Sequence, residues 1–351
     1  MEIVKVSTSK EYNVNIGSGF LNRIGEKISE LKRICRIVLI SDDNVFPLYG
    51  ETVKKSLENN GYTVCEFVVP HGEESKSFDK YQEILEFCAE NSITRTDLFV
   101  ALGGGVVGDL TGFVASTYLR GVDFVQIPTT VLSMVDSSVG GKTAINLKAG
   151  KNLCGAFYQP IAVFADCNTL DTLSEENFND GCAEIIKYGM VLDKDFLEFL
   201  QNNEIKDNIE YVIKRCVEIK RDVVSRDEFE KGERKLLNFG HTIGHAIEKC
   251  SNFTISHGNA VAIGMALASK GAYEIGMSED DFSDVLLPIL KKNNLPTTCE
   301  FSAEELCKAS LSDKKRSFDT ISLIVPEEKG LCKVMKLPVE DLENFIEKGM
   351  N

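Results

Sequence analysis

Basic residues are in deficit: 39 Lys and Arg stand against 54 Asp and Glu, a formal net charge of -15 over 351 residues. That balance argues against general binding to nucleic acid or to an anionic membrane surface, both of which need basic surface. A local basic cluster around a small anionic molecule remains open. No apolar run approaches the ~20 residues of a membrane span, and the opening residues do not read as a secretory signal. None of the 11 cysteines forms a C-x-x-C pair. They read as reduced thiols of a cytoplasmic protein rather than a disulfide framework. There is no internal repeat, no low-complexity tract and no Walker A loop. Histidine is the scarcest of the chemistry-bearing residues, with four in the chain.

A 43% hydrophobic chain of this length supports a large core and two domains. In the first half, β-rich runs at residues 3–7, 12–16, 36–41, 63–69, 98–102, 124–127 and 162–165 alternate with helical stretches at 45–60 and after Ser77. Apolar strands alternating with helices predict a parallel sheet covered on both faces. Beyond Asp171 the pattern turns helical, over residues 175–189, 193–200, 208–227, 233–250, 258–276 and 280–293. Strand signal returns only at 320–325 and 332–337. These patterns predict an α/β domain, residues 1–170, followed by a mainly helical domain, residues 171–351.

Three of the four histidines fall close together, at His241, His245 and His257. Read as one helix, Arg234, Asn238, His241 and His245 lie within about 60° of each other at roughly 100° per residue. That stripe suits the wall of a polar, anion-accepting, metal-capable site better than a packing face. Gly240 and Gly244, four apart, would let another helix pack closely beside it. Glu184 and Lys187 lie one turn apart in an apolar helix bracketed by Gly181 and Gly189. A surface ion pair there would contribute little. A catalytic zinc site wants three protein ligands and an open position; Glu184, His241 and His257 would supply them, leaving His245 as acid–base group.

Gly103, Gly105 and Gly108 follow a strand and open a helix in a G-x-G-x-x-G pattern. Such a turn brings backbone N–H groups to a phosphate, or serves as a tight strand-to-helix turn; the pattern alone does not choose. Asp42, at a strand tip, fits a ribose diol or a helix cap. Pro128–Thr130, residues 136–143 and residues 150–152 form a second region rich in Gly, Lys and hydroxyls.

Residues 103–114, 128–132, 135–143, 150–152, 183–189, 237–248 and 257–265, in this order, resemble the 3-dehydroquinate synthase family over essentially the whole chain. The resemblance implies a Rossmann-like NAD-binding domain, residues 1–170, a helical metal- and substrate-binding domain, residues 171–351, holding one zinc or cobalt ion, an active site in the cleft, and a homodimer. It implies conversion of a heptulosonate phosphate to dehydroquinate with transient use of NAD. Glu184, His241 and His257 match the metal ligands. Lys142, Asn152, Lys187, Lys220, Arg234, Asn238 and His245 match the substrate pocket, with a further anion contact at Lys314 or Lys315. Arg120 matches an arginine contributed across the dimer. Asp42, Asn44, Glu73, Lys76, Gly104 and Gly105 match NAD-contacting positions. So do Asp109, Thr129, Thr130, Asp136, Lys142, Lys151 and Thr172. His71 stands where the family more often has proline, a change expected to be neutral. Three rival readings are a metal-dependent polyol dehydrogenase, another sugar phosphate cyclase of inosose or valiolone type, and a catalytically dead regulator. The dehydrogenase's uncharged substrate would leave Lys142, Lys187, Lys220 and Arg234 without a purpose.

Overall fold

The computed structural model describes residues 1–312 and 319–351. Two compact units form, one of Met1–Leu173 with Lys220–Glu228, the other of Ser174–Ile219 with Phe229–Asn351. The segment Lys220–Glu228 thus groups with the first unit, although in sequence it lies inside the proposed 171–351 domain.

The first unit contains β1 (Glu2–Ser7), β2 (Glu11–Gly17), α1 (Ile24–Ser29), β3 (Arg36–Asp42), α2 (Glu51–Asn59) and β4 (Thr63–Val69). It continues with α3 (Phe78–Glu90), β5 (Leu98–Gly103), α4 (Gly105–Thr117), β6 (Asp123–Pro128), β7 (Lys142–Leu147), β8 (Gly150–Phe157) and β9 (Ala162–Asp166). Seven strands make one sheet in the order β1-β2-β9-β6-β5-β3-β4. Only the β1–β2 hairpin is antiparallel; β2, β9, β6, β5, β3 and β4 run parallel. All of β5 is buried, which is why it reads as an unbroken apolar run. One core, with Leu39, Val100 and Ile127, fills one face; another, with Val38, Phe99 and Phe124, fills the other. The chain goes from β3 outward to β4 and returns to β5 on the other side. That reversal opens a crevice at the carboxyl ends of β3 and β5, the usual ligand position in such sheets. The β7–β8 hairpin, a separate two-stranded sheet, was not anticipated; its residues read only as a region rich in Gly, Lys and hydroxyls.

The second unit contains α5 (Glu175–Leu192), α6 (Lys194–Asn202), the first part of α7 (Ile209–Arg226), α8 (His241–Cys250), α9 (His257–Glu274) and α10 (Ser283–Lys292). It ends with α11 (Ala303–Ser312), the β10–β11 hairpin (Thr320–Glu328 and Leu331–Pro338) and α12 (Leu342–Met350). Helix α9 is buried nearly all round, from Gly258 to Ala272, and packs on α5, α8, α10 and α12. A helix apolar on every face belongs at the centre of a bundle. No helix among the described residues is long and apolar enough to cross a membrane.

The expected single helix over 233–250 is broken. Glu233–Asn238 is a 3-10 turn, Gly240 is left-handed at φ +78°, and α8 starts at His241. The cause is tertiary. A Cβ on Gly240 would lie 2.8 Å from the Met265 amide nitrogen and the Val261 carbonyl oxygen, both on α9. Only glycine fits both the contact and the left-handed backbone. The reciprocal contact is tighter: a Cβ on Gly264 would lie 2.1 Å from the Gly240 carbonyl oxygen. Gly264→Ala is therefore expected to lose about 1–3 kcal/mol of stability in urea unfolding; an unchanged midpoint would remove this helix contact as a constraint on the fold.

Candidate functional site

In the second unit, α5 begins with Ser174 as N-cap, its hydroxyl accepting the Asn177 amide. The helix then buries residues 181–191, Glu184 and Lys187 among them. Glu184 has no solvent exposure and Lys187 almost none. The Lys187 ammonium donates to one Glu184 oxygen, Oε2. The other, Oε1, faces His241 Nε2 at 3.4 Å and His257 Nε2 at 3.3 Å. Burial alone would raise the Glu184 carboxyl; the Lys187 ammonium, with His241 and His257, outweighs it and holds the group well below the usual carboxylate range.

Each imidazole is aimed from behind. His241 donates from Nδ1 to the Phe239 carbonyl at 3.1 Å. His257 Nδ1 lies 3.4 Å from Glu248 Oε2, on a buried carboxylate of α8. Both partners accept, so both rings direct Nε2 at Glu184, the outer-partner arrangement seen around metal-bound histidines. Helix α9, which His257 opens, is docked by Asp180, one turn before Glu184 on α5. The Asp180 carboxylate accepts the amides of Gly258 at 2.7 Å and Asn259 at 3.1 Å. Gly258 is required there, since a Cβ would lie 1.9 Å from the Asp180 carbonyl oxygen.

The ligand atoms of Glu184, His241 and His257 lie within 4.8 Å of one another. The set fits a divalent ion of zinc or cobalt type: one carboxylate, two imidazoles with fixed donor nitrogens, and His257 left partly exposed as an approach. Burial would lower the His257 pKa, yet Glu184 and Glu248 raise it to about 10. A pocket that pulls a proton between two carboxylates pulls a metal ion by the same field, and the two compete.

His245 is half-exposed, its Nε2 4.0 Å from Glu248 Oε2 and its ring 5.4 Å from that of His241. Arg234 is buried, and Asn238 donates to Glu230 Oε1 at 2.5 Å. Both sit on the 3-10 turn rather than on α8, so the four-residue stripe read from the sequence is two separate pieces.

The first unit gathers a second set at the strand ends. Gly104 caps α4 and Gly105 opens it, beside Thr130 and Ser137. Gly108 faces Gln126, where a Cβ would lie 2.6 Å from Oε1. Glycine here secures close packing of the helix on β6 as well as access to its N-terminus. Thr129 Oγ1 is buried without a hydrogen-bond partner, an orphan that a bound cofactor's polar group would satisfy. Asp42 Oδ1 accepts the amides of Asn44 and Val45, each at 2.9 Å, so the capping role is real. Asn44 is exposed beside it. Thr172 Oγ1 contacts the Tyr49 hydroxyl at 2.6 Å.

Lys76 is buried, with its Nζ 2.7 Å from Asp109 Oδ2 and 2.5 Å from Asn152 Oδ1; Glu73 lies 4.0 Å away. Burial pushes the Asp109 carboxyl up, and Lys76 offsets only part of that. Asp136 lies on a single π-turn, Ser133–Ser137, a local irregularity common at functional sites. Its carboxylate accepts from the Lys220 ammonium, which also reaches the Asp136 carbonyl at 2.6 Å. Lys142 opens β7 exposed, and Lys151 is half-buried on β8. Arg120 is exposed on left-handed backbone, φ +68°, between Leu119 at +49° and Gly121 at +120°. Lys314 and Lys315 lie outside the described residues.

The sequence reading missed Asp180, Glu230 and Glu248, whose partners lie outside their own turn or helix. It also gave His71 no contact of its own: the ring and amide of His71 hold Asp43 Oδ1 at 2.8 and 2.7 Å, keeping that carboxyl low.

The family model described as 3-dehydroquinate synthase N-terminal matches residues 66–180, and that described as 3-dehydroquinate synthase C-terminal matches residues 181–316. A 3-dehydroquinate synthase of Clostridium acetobutylicum is 43% identical over 341 residues, 95% of this chain and 96% of that one. One of Enterococcus faecalis is 42% identical over 354 residues, 99% of each. Among solved structures, a 2-deoxy-scyllo-inosose synthase complexed with carbaglucose-6-phosphate, NAD+ and Co2+ superposes with a TM-score of 0.89 at 25% identity, covering 99% of this chain and 100% of that one.

His257→Ala is expected to abolish stoichiometric uptake of zinc or cobalt in equilibrium dialysis; wild-type metal content in that variant would sink the ligand assignment. Glu184 and Glu248 hold the His257 proton above the usual imidazole range, so the ion must displace it. Metal affinity of the wild type should therefore rise with pH through the neutral range, by about tenfold per unit where one proton is released. A flat profile would show that no proton leaves as the ion binds, contradicting a His257 proton held between Glu184 and Glu248.

Proposed function

The chain belongs to the 3-dehydroquinate synthase family, and from that premise we propose that it converts 3-deoxy-D-arabino-heptulosonate 7-phosphate to 3-dehydroquinate and phosphate. It would do so as a cytoplasmic homodimer, in the shikimate route to aromatic amino acids. The observation that carries this reading is the buried Glu184 carboxylate facing two oriented imidazoles and one buried lysine. When bound, NAD would take a hydride from a ring hydroxyl and later return it, and a divalent metal would polarise the oxygen at that carbon.

The remaining work falls to side chains. Glu184, His241 and His257 would hold the metal, with Glu248 and the Phe239 carbonyl keeping the rings aligned. Asp42, Asn44, Glu73, Lys76, Gly104, Gly105, Asp109, Thr129, Thr130, Lys151 and Thr172 would hold NAD, together with Asp136 and Lys142. The substrate carries a carboxylate and a phosphate, so several cations and amide donors must meet it. Lys142, Lys187, Lys220, Arg234, Asn152 and Asn238 supply them, with Lys314 or Lys315 adding another. His245, half-exposed and next to Glu248, is placed to carry a proton to or from the substrate. The exposed Arg120, held out by left-handed backbone, would reach the site of a second subunit.

An uncharged polyol would leave this cation set without a counterpart, and the set Lys220, Arg234, Asn238 and His245 suits a substrate carboxylate that the other cyclases' sugars lack. The test is phosphate release from the heptulosonate phosphate with catalytic NAD, alongside NADH absorbance. Phosphate without accumulated NADH, lost to a chelator and restored by zinc or cobalt, is the expected result; net NADH from simple polyols with no phosphate would overturn it. Lys142→Ala should raise KM for the sugar phosphate by roughly 10-fold or more through a lost charge-assisted bond, with metal content unchanged. An unaltered KM would remove Lys142 from the anion contacts.

A further inference from the structure

Asn146, at the inner end of β7, is not among the residues given a role above. It lies in the first unit, and its amide is engaged at both ends. Nδ2 donates to Glu73 Oε1 at 2.7 Å. Oδ1 accepts the backbone N–H of Asn152 at 2.8 Å. Its own backbone N–H donates to the Lys76 carbonyl at 2.7 Å. The amide orientation is dictated by its partners, because a carboxylate only accepts and a backbone N–H only donates.

Two segments far apart in sequence therefore meet on one side chain. One is the turn carrying Glu73 and Lys76; the other is the hairpin carrying Asn152. Asn152 has φ +56°, a left-handed conformation that a non-glycine residue holds only at some cost. The bond from its N–H to Asn146 supports that conformation, and the conformation presents Asn152 Oδ1 to the Lys76 ammonium at 2.5 Å. Lys76 in turn reaches Asp109 on α4. The circuit Glu73, Asn146, Asn152, Lys76 closes through the Lys76–Glu73 ion pair at 4.0 Å, and Asp109 joins it at Lys76.

We infer that Asn146 is a positioning residue that keeps the cofactor-facing turn, Glu73 and Lys76, in register with the substrate-facing Asn152. This rests on the functional reading above, which assigns those residues to NAD and to the sugar phosphate. The requirement is for a donor and an acceptor on one short, planar group. Alanine removes both. Aspartate keeps the acceptor for the Asn152 N–H but sets a carboxylate against that of Glu73.

The test measures NAD dissociation constant by calorimetry, kcat and KM in the phosphate-release assay, and the unfolding midpoint, for wild type, Asn146→Ala and Asn146→Asp. Asn146→Ala is expected to raise the NAD dissociation constant and the sugar-phosphate KM, each by about tenfold, the effect of one lost hydrogen bond in a network. Asn146→Asp is expected to raise the NAD constant at least as much while KM stays within about threefold of wild type. A lower midpoint with both constants unmoved in Asn146→Ala would reduce the residue to a hairpin brace and overturn the inference. Equal changes of both constants in Asn146→Asp would overturn the division into two arms. Wild-type protein that binds NAD but releases no phosphate would refute the functional proposal, while the NAD constants of the variants would still decide the Glu73 arm. Wild-type protein that binds no NAD would overturn both.

Discussion

A carboxylate with no access to water stays charged only if positive groups enclose it. Glu184 is such a group, and much of the second unit follows from satisfying it. Lys187, one turn along the same helix, takes one oxygen. The other oxygen needs partners from elsewhere, and they come from the first residues of α8 and α9. Those two helix starts must converge on the middle of α5. Gly240 and Gly264 make the convergence sterically open, by letting the backbones of α8 and α9 touch. Asp180 makes it directional, by binding the amides that open α9. An unpaired buried charge would cost several kcal/mol, so the electrostatic requirement and the helix packing reinforce each other.

The first unit answers a different constraint. A doubly covered parallel sheet exposes usable backbone only at the strand ends, and the reversal between β3 and β5 opens the sheet there. Asp42, Gly104, Gly105 and Thr129 lie at these ends because β3, β5 and β6 stop together. Lys76 reaches the same region from the turn after β4, held between Asp109 and Asn152. The crevice is thus lined by groups already bonded to one another, which limits the ordering that a ligand must impose.

The inner sheet was legible because buried parallel strands leave continuous apolar runs: β3 and β5 each extend one residue beyond the reading. The edge strand β4, mostly not buried, matches its reading of 63–69 through its β-branched and aromatic residues. The helix break at Gly240 was not legible, since the apolar period runs through it and only the approach of α9 demands left-handed backbone. The β7–β8 hairpin was hidden for a compositional reason. Its Gly, Lys and Asn residues are turn formers, and its faces lack a clean alternation of buried and exposed positions. The helices α11 and α12 also went unread. The cluster of His241, His245 and His257 stood out by rarity, and Glu184 by its apolar setting. Asp180, Glu248 and Asn146 carried no comparable signal. Each is an ordinary polar residue whose partner lies on another element, and nothing local distinguishes it from a solvated side chain.

The acidic total of the chain and a polyanionic substrate are reconciled by how the cations are held. Lys187 rests on Glu184, Lys220 on Asp136 and Lys76 on Asp109. Each carboxylate cancels part of its partner's field, so these lysines do not form a broad positive surface that would attract nucleic acid. What each carboxylate supplies is position. A free lysine loses up to about 2 kcal/mol of rotamer entropy when a ligand fixes it; a lysine already pinned loses less. Under the proposed function, a substrate anion arriving at the Lys187 or Lys220 pair would gain a charge-assisted bond from an ammonium that keeps its other protons on the internal carboxylate. Affinity would then come from preorganised geometry rather than net charge, and selectivity with it. A ligand whose anionic groups sit at the wrong spacing meets acid–base pairs that are already satisfied and has little to gain by displacing them.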